Sequence, residues 1–382
     1  MTGASKPASY DDVVGYDALD AFKREAQGAA GQVTHFVAKR LLELGYKEIP
    51  ESRGESAYLI EAADHILAFV VEGLGTKNLV PERMLAERPA LEREHEYFEV
   101  IGQDTAAMIL NDMAVAGASP LILGSHVALA NSQWLSSKNR RQGFLSGWAL
   151  ACGRTKTLWG GGETATLRDV IMPGTAVLGG AAVGIIKPKN RYIHGNVREG
   201  DAIVLVSSNG VHANGLTGIR DIAEKLPDGY RTRINISCTL GQALCEPTRL
   251  YGPLVEKLLD AGVNIHYAIH ITGHGWRKLM RLPKPFAYII DKIPDPNHVI
   301  FEFLQTQGRL SDREAYATYN MGFGFALIMP PKALERAFAI ADDLHFSEND
   351  FVLAGRVEKS RRRQVRLLPK DVVYEEDELN IR

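Results

Sequence analysis

Apolar residues along this chain fall into two spacings, and each predicts a different kind of element. Short β-rich runs read as strands: one or two within Ile60 to Val71, then Leu121 to Ala130, Lys156 to Trp159 and Ala176 to Ile186. Further strands are expected at Ala202 to Val206, Ala287 to Ile290 and Gly322 to Met329. Helical spacing marks Asp17 to Leu44, with a break near Gly28 to Gly31 and a stop at Gly45. It recurs at Thr105 to Gly117, where Asp104 reads as N-cap, Gly117 as stop and Pro120 lies beyond. Lys138 to Gly153, a segment from Leu216, Thr248 to Ala261 after Pro247, and Lys332 to Asp343 complete the helices. Residues 78–98, with Pro81 and Pro89, read as a loop or short helix, and the charged tail from Lys359 as a solvated segment.

Strands and helices mix without strict alternation, which favours α/β or α+β sandwiches over a doubly wound parallel sheet. The polar segment Lys187 to Asp201 is the expected boundary between an N-terminal domain, 1–187, and a C-terminal domain, 188–382. A length of 382 residues allows both a substantial core.

Charge and cysteine content narrow the class. A net charge of −2 gives no broad attraction to nucleic acid or an anionic membrane. Cys152, Cys238 and Cys245 are three thiols without CxxC spacing, as expected of a reducing compartment. The N-terminus lacks an apolar h-region, and no apolar run approaches the roughly 20 residues of a membrane span, so a cytoplasmic protein is expected.

Candidate chemistry concentrates at predicted strand ends. Phe69 to Lys77 reads FVVEGLGTK: a strand emptying into a turn with Glu72, Gly73, Gly75, Thr76 and Lys77. Its glycines permit backbone geometry that side chains forbid; Glu72 suits a hard cation and Lys77 a phosphate. The spacing is not that of a Walker loop, and a tight turn with a solvated lysine fits the same residues. On the apolar helix that follows, Asn111 lies seven residues after Asp104 and shares its face; Asp112 is a carboxylate needing a partner or a metal. Gly160-Gly161-Gly162-Glu163 suits close backbone approach to a ligand or a flexible hairpin. Ser207 to Gly215, SSNGVHANG, sits between a strand and a helix. It reads as an anion-binding helix entry, with His212 as phosphate donor or acid/base, or as a cap with a structural histidine. Two later glycine turns, His270 to Gly275 and Tyr319 to Gly324, are weak singly. Zinc, serine-hydrolase and Rossmann patterns are absent.

In register, these segments resemble the aminoimidazole ribonucleotide synthetase (phosphoribosylformylglycinamidine cyclo-ligase) family over about residues 10 to 357. The matching stretches are EGLGTK (72–77), NDMAVAGASPL (111–121), GGGETA (160–165), SSNGVHANG (207–215), EPTRLY (246–251), HITGHGW (270–276) and YNMGFGF (319–325). Selenophosphate synthetase, carbamoyl dehydratase and thiamine monophosphate kinase relatives of that superfamily lack support here. The first is missing its N-terminal reactive cysteine, the second its terminal cysteine, and the third its paired aspartates near Glu72.

The resemblance implies a two-domain fold: an N-terminal mixed sheet that completes a barrel across a homodimer, and a C-terminal α/β sandwich. It implies ATP with Mg²⁺, a small ribonucleotide substrate, and ring closure with release of ADP and phosphate. An ATP-dependent paralogue acting on another amide or carboxylate is the alternative. Glu72, Asp104 and Asp112 would hold Mg²⁺; Lys77, Asp112 and His212 would serve catalysis. Gly73, Gly75, Thr76, Lys77, Asn111, Gly161, Gly162, Glu163, Asn214 and Gly215 would line the nucleotide site. Departures from the family pattern include Glu72 for aspartate, Ser125 and Ala317 at two expected polar positions, and His274 within the late glycine triplet.

Overall fold

The computed structural model describes residues 15–87, 93–295 and 298–379; the N-terminal segment 1–12, Pro89 and the terminal residues 380–382 lie outside the described residues. A long helix α1 (Tyr16–Glu43) leads into strands β1 (Lys47–Glu48), β2 (Tyr58–Glu61) and β3 (Ile66–Gly73). Helices α2 (Leu79–Glu87) and α3 (Glu94–Val115), strand β4 (Ser119–Leu129), helix α4 (Lys138–Thr155) and strands β5 (Leu158–Thr166) and β6 (Ala176–Ile186) complete the first half. Its six strands form one mixed sheet in the order β1-β2-β3-β6-β4-β5, with β4 and β5 parallel and the other pairs antiparallel.

That sheet is covered on one face only. Alternation along β3 turns Ile66, Ala68 and Val70 inward against Phe98, Ile109 and Met113 of α3 and Trp148 of α4. The odd positions Phe69 and Val71, with Val177 and Val183 of β6 and Ile122 of β4, stay exposed on the other face. Close approach explains the glycines of β6. A methyl on Gly180 would sit 2.2 Å from the Gly124 carbonyl, and one on Gly184 would sit 2.6 Å from Met113 Sδ.

The second half opens with β7 (Ala202–Ser207) and helices α5 (Leu216–Lys225), α6 (Leu240–Leu244) and α7 (Gly252–Asp260). Strands β8 (Tyr267–His270) and β9 (Phe286–Ile290) follow, then α8 (Val299–Gly308), α9 (Asp312–Thr318), β10 (Phe323–Met329) and α10 (Leu334–Asp343). Strands β11 (Phe351–Lys359), β12 (Gln364–Leu367) and β13 (Val372–Glu375) close the chain. Their sheet runs β13-β12-β9-β11-β7-β10-β8, antiparallel except for β12 beside β9. Every residue of β7 and β10 is buried, since helices cover both faces; such strands lose polar alternation. The architecture is the mixed α/β one the sequence predicts.

Four expectations are corrected. Asp104 is not an N-cap: α3 starts at Glu94, because Tyr97, Phe98 and Ile101 bury one face while Glu94, His95, Glu96 and Glu99 keep the other polar. No break divides α1, whose glycines are accommodated within one helix. The helix expected from Thr248 begins at Gly252, because polar side chains of α3 hold 246–251 extended. The charged tail is not a solvated segment; Val365, Leu367, Val372 and Tyr374 of β12 and β13 are buried in the second core.

Candidate functional site

Helix α3 lies between the two sheets and joins them through a row of polar side chains. Asp104 Oδ1 accepts from Thr248 N at 2.6 Å, and Gln103 Nε2 donates to the Thr248 carbonyl at 3.1 Å. Two turns on, Asn111 accepts from Tyr251 N at 2.8 Å and donates to the Arg249 carbonyl at 2.9 Å. The shared face of Asp104 and Asn111 is therefore real, and its partner is EPTRLY. Lys77 closes the same arrangement: its Nζ lies 2.5 Å from Asp104 Oδ2 and donates to the Glu246 carbonyl at 2.9 Å, with no exposed surface. These three residues are spent inside the protein. Lys77 is not positioned on a phosphate, Asp104 is not available to a metal, and Asn111 faces the peptide of 249–251.

Asp112 points the other way. Its Oδ1 lies 2.7 Å from His270 Nδ1 at the end of β8. Burial alone would raise the Asp112 carboxyl, but the His270 hydrogen bond and charge, with Lys278 and Arg281 nearby, hold it below the usual carboxylate range. Burial pushes the His270 pKa down, against the opposing pull of the Asp112 hydrogen bond and charge. His270 Nε2 is buried without a hydrogen-bond partner. Glu72, at the end of β3, has its carboxyl pushed upward by burial and then by the charge of Asp112; Lys278 and Arg281 oppose the shift. Glu72 is exposed to solvent, which tempers that effect.

Two cations complete the cluster. Lys278 Nζ contacts Thr272 Oγ1 and lies 3.4 Å from the His270 carbonyl; burial and Arg281 push it down to about 8. Arg281 donates to Ser56 Oγ at 3.1 Å and to the Gly54 carbonyl at 2.5 Å. His270, Lys278 and Arg281 were not singled out as site residues by sequence reasoning. The pairing of Asp112 with His270 spans 158 positions, and only the histidine inside HITGHG hinted at it.

The turn after β7 differs from expectation in its histidine. His212 is buried at φ 57°, and its Nε2 accepts from Asn209 N at 3.2 Å and Arg249 N at 3.4 Å. Its Nδ1 is walled by Gly324, where a methyl would come within 3.0 Å. Burial, then the charge of Lys77, drives its pKa well down. Through Nε2 it organises the turn, while its buried Nδ1 has no hydrogen-bond partner among the described residues. Gly215 begins α5 at φ 70°, against the Tyr319 ring, and the buried Asn214 Nδ2 has no hydrogen-bond partner.

The remaining candidates are dispersed. Gly75 takes φ 73° in the turn after β3, whereas Gly73 ends the strand with ordinary backbone and Thr76 is half-buried. Gly161, Gly162 and Glu163 lie within β5, an exposed edge strand, with Glu163 opposite His126 in register. They form no loop, and no hydrogen bond joins them to Glu72 or Asp112. Ser125 Oγ lies 3.5 Å from the Gly161 carbonyl, and the Ala317 carbonyl accepts from Arg277.

The expected Mg²⁺ set fails a chemical test. A hard divalent ion takes about six oxygen ligands, several of them free carboxylates or water. Asp104 is committed to Lys77 and one Asp112 oxygen to His270, and Lys278 and Arg281 face the remaining charge. Among the described residues no group of three His, Cys, Asp or Glu side chains is arranged to hold a metal.

Comparison with known proteins gives the frame for this cluster. Residues 54–186 match the AIR synthase related protein N-terminal domain model, and residues 198–367 match the C-terminal one. A phosphoribosylformylglycinamidine cyclo-ligase of Methanosarcina acetivorans is 34% identical over 286 residues, covering 74% of this chain and 80% of that protein. One of Methanocaldococcus jannaschii is 32% identical, covering 74% and 76%. Among solved structures, AaThiL complexed with AMPPCP and TMP superposes with a TM-score of 0.55 at 14% identity, covering 85% of this chain and 91% of that one. Hydrogenase maturation protein HypE in complex with ATP gives 0.53 at 15%, covering 72% and 78%. At these identities the structural likeness speaks for the fold alone.

Proposed function

The chain belongs to the AIR synthase related family, and we propose that it catalyses the cyclo-ligase reaction its relatives are named for. ATP activates the formamide oxygen of formylglycinamidine ribonucleotide, and an internal nitrogen closes the imidazole ring. ADP and phosphate leave, the phosphate carrying the former formamide oxygen. The observation that carries this reading is similarity to named cyclo-ligases across both family domains, with Asp112 of the first domain paired to His270 of the second.

Lys278, tethered at the His270 turn, and Arg281, held by Ser56, supply positive charge toward ATP phosphates. Catalysis of this kind depends on positioning and charge stabilisation. Asp112 fixes the His270 ring through Nδ1 and leaves the unpartnered Nε2 to hold a proton released during ring closure. Glu72, exposed at the end of β3, orients the substrate. Asn214 and Gly215, at the entry of the ten-residue α5, give an N-terminus suited to a phosphate; the unpartnered Asn214 Nδ2 supports that role. Gly75 and Thr76 flank the nucleotide.

The uncovered face of the first sheet supports a homodimer. Phe69, Val71, Ile122, Val177 and Val183 make a contiguous apolar surface, and a second copy would bury it.

A steady-state assay with ATP and formylglycinamidine ribonucleotide tests the reading. Coupled formation of ADP and aminoimidazole ribonucleotide is expected. ATP binding without ring closure would move the assignment to a paralogue with another amide or carboxylate substrate.

A further inference from the structure

A cavity opens at the C-terminal end of α5, away from the residues around Asp112 and His270. Helix α5 is ten residues long, so this end lies about 15 Å from the Gly215 entry. The space measures about 510 Å³, within the usual range for a small-molecule site. Arg83 and Glu87 of α2 form one wall. Glu224 and the turn after α5, with Asp228, Tyr230 and Arg231, form the other. A methyl on Gly229 would meet Glu87 Oε1 at 3.5 Å, so Glu87 reaches across to that turn.

Two observations mark the cavity as suited to a ligand. Tyr230 is 3% exposed, yet its Oη has no hydrogen-bond partner among the described residues. Burial pushes the phenol up to about 12, so it keeps its proton and remains a donor without an acceptor. Arg220 stands nearby, its own buried Nε also unpartnered. The charged lining is the second observation: among the described residues none of Arg83, Glu87, Glu224, Asp228 and Arg231 is in an ion pair. Two arginines against three carboxylates leave that lining one charge negative, and the last carbonyls of α2 and α5 add to it.

We propose that this cavity binds a small zwitterion with one net positive charge, an amino acid with a cationic side chain. Its carboxylate takes the Tyr230 hydroxyl and the guanidinium groups of Arg83 and Arg231. Its two cationic groups face Glu87, Glu224 and Asp228. None of these residues belongs to the cluster at Asp112 and His270, so the site stands whether or not the chain closes an imidazole ring.

Isothermal titration calorimetry of the full-length protein with L-arginine tests the proposal. Saturable binding at one site per chain is expected, with Kd below about 1 mM. Agmatine, which lacks the carboxylate, should bind weaker by on the order of tenfold. Tyr230→Phe keeps the buried ring and should weaken L-arginine by on the order of tenfold. Glu224→Lys, at an exposed position, should abolish binding. Circular dichroism confirms folding, and Arg231→Gln serves if Tyr230→Phe does not fold. No saturable binding to the folded wild type up to about 10 mM L-arginine would overturn the proposal. So would an affinity unchanged by both substitutions, or agmatine binding as tightly as L-arginine.

Discussion

Lys77 Nζ and Asp104 Oδ2 meet at 2.5 Å with neither side chain exposed to solvent. The pair ties the turn after β3 to α3, and through Glu246 and Thr248 to the segment that carries the second half of the chain. Removing one member leaves the other charged and buried, which costs about 3–5 kcal/mol. Asp104→Asn is therefore expected to lower the urea midpoint sharply, while the double change Lys77→Met with Asp104→Leu recovers much of the loss. Equal instability of the single and double variants would contradict a structural role for the pair.

Acid sensitivity follows from His274. Burial, then Arg277 and Lys278, pushes its pKa down to about 3 from the ordinary 6.5. The unfolded chain binds this proton below 6.5 and the folded one does not until about 3, so stability is lost as pH falls through that window. His274 sits at φ 68°, which asparagine tolerates, so His274→Asn is the conservative test. It should flatten the slope of stability against pH between about 6 and 4 by up to roughly 1.4 kcal/mol per pH unit. An unchanged slope would show that His274 does not carry the effect.

Gly215 has both a left-handed backbone and a wall beside it. A methyl there would lie 2.4 Å from the Tyr319 ring. Gly215→Ala is expected to destabilise by on the order of 1–3 kcal/mol and to weaken ATP binding measured by calorimetry. Wild-type stability and affinity would remove the need for glycine at the α5 entry.

The apolar face of the first sheet predicts the assembly state. Val71 is 63% exposed at its centre. Light scattering should give a dimer for the wild type and a monomer for Val71→Arg, whose charge would be buried unpaired at the interface. A wild-type monomer would contradict the homodimer.

How far the sequence speaks for itself depends on separation along the chain. Period-two alternation marks the two faces of β3, and full burial of β7 and β10 follows from unbroken apolar runs. The common face of Asp104 and Asn111 follows from helical geometry alone. Its purpose does not, because the partners at Thr248 and Tyr251 lie 144 and 140 positions away. The same distance hides the His270 partner of Asp112 and makes Lys77 look like a surface cation. Lys278 carries no local signal: an isolated lysine after a glycine turn is ordinarily solvated. The terminal strands were obscured because each is only four residues long and charged runs flank them, Arg361 to Arg363 before β12 and Glu376 to Glu378 after β13.

The central claim is that ATP activates the formamide oxygen, and isotope transfer tests it most directly. Formylglycinamidine ribonucleotide labelled with ¹⁸O in the formyl group would be turned over with ATP, and the released phosphate analysed by mass spectrometry. The account predicts one ¹⁸O in phosphate for each aminoimidazole ribonucleotide formed. Unlabelled phosphate, with ADP accumulating and no ring closure, would contradict it.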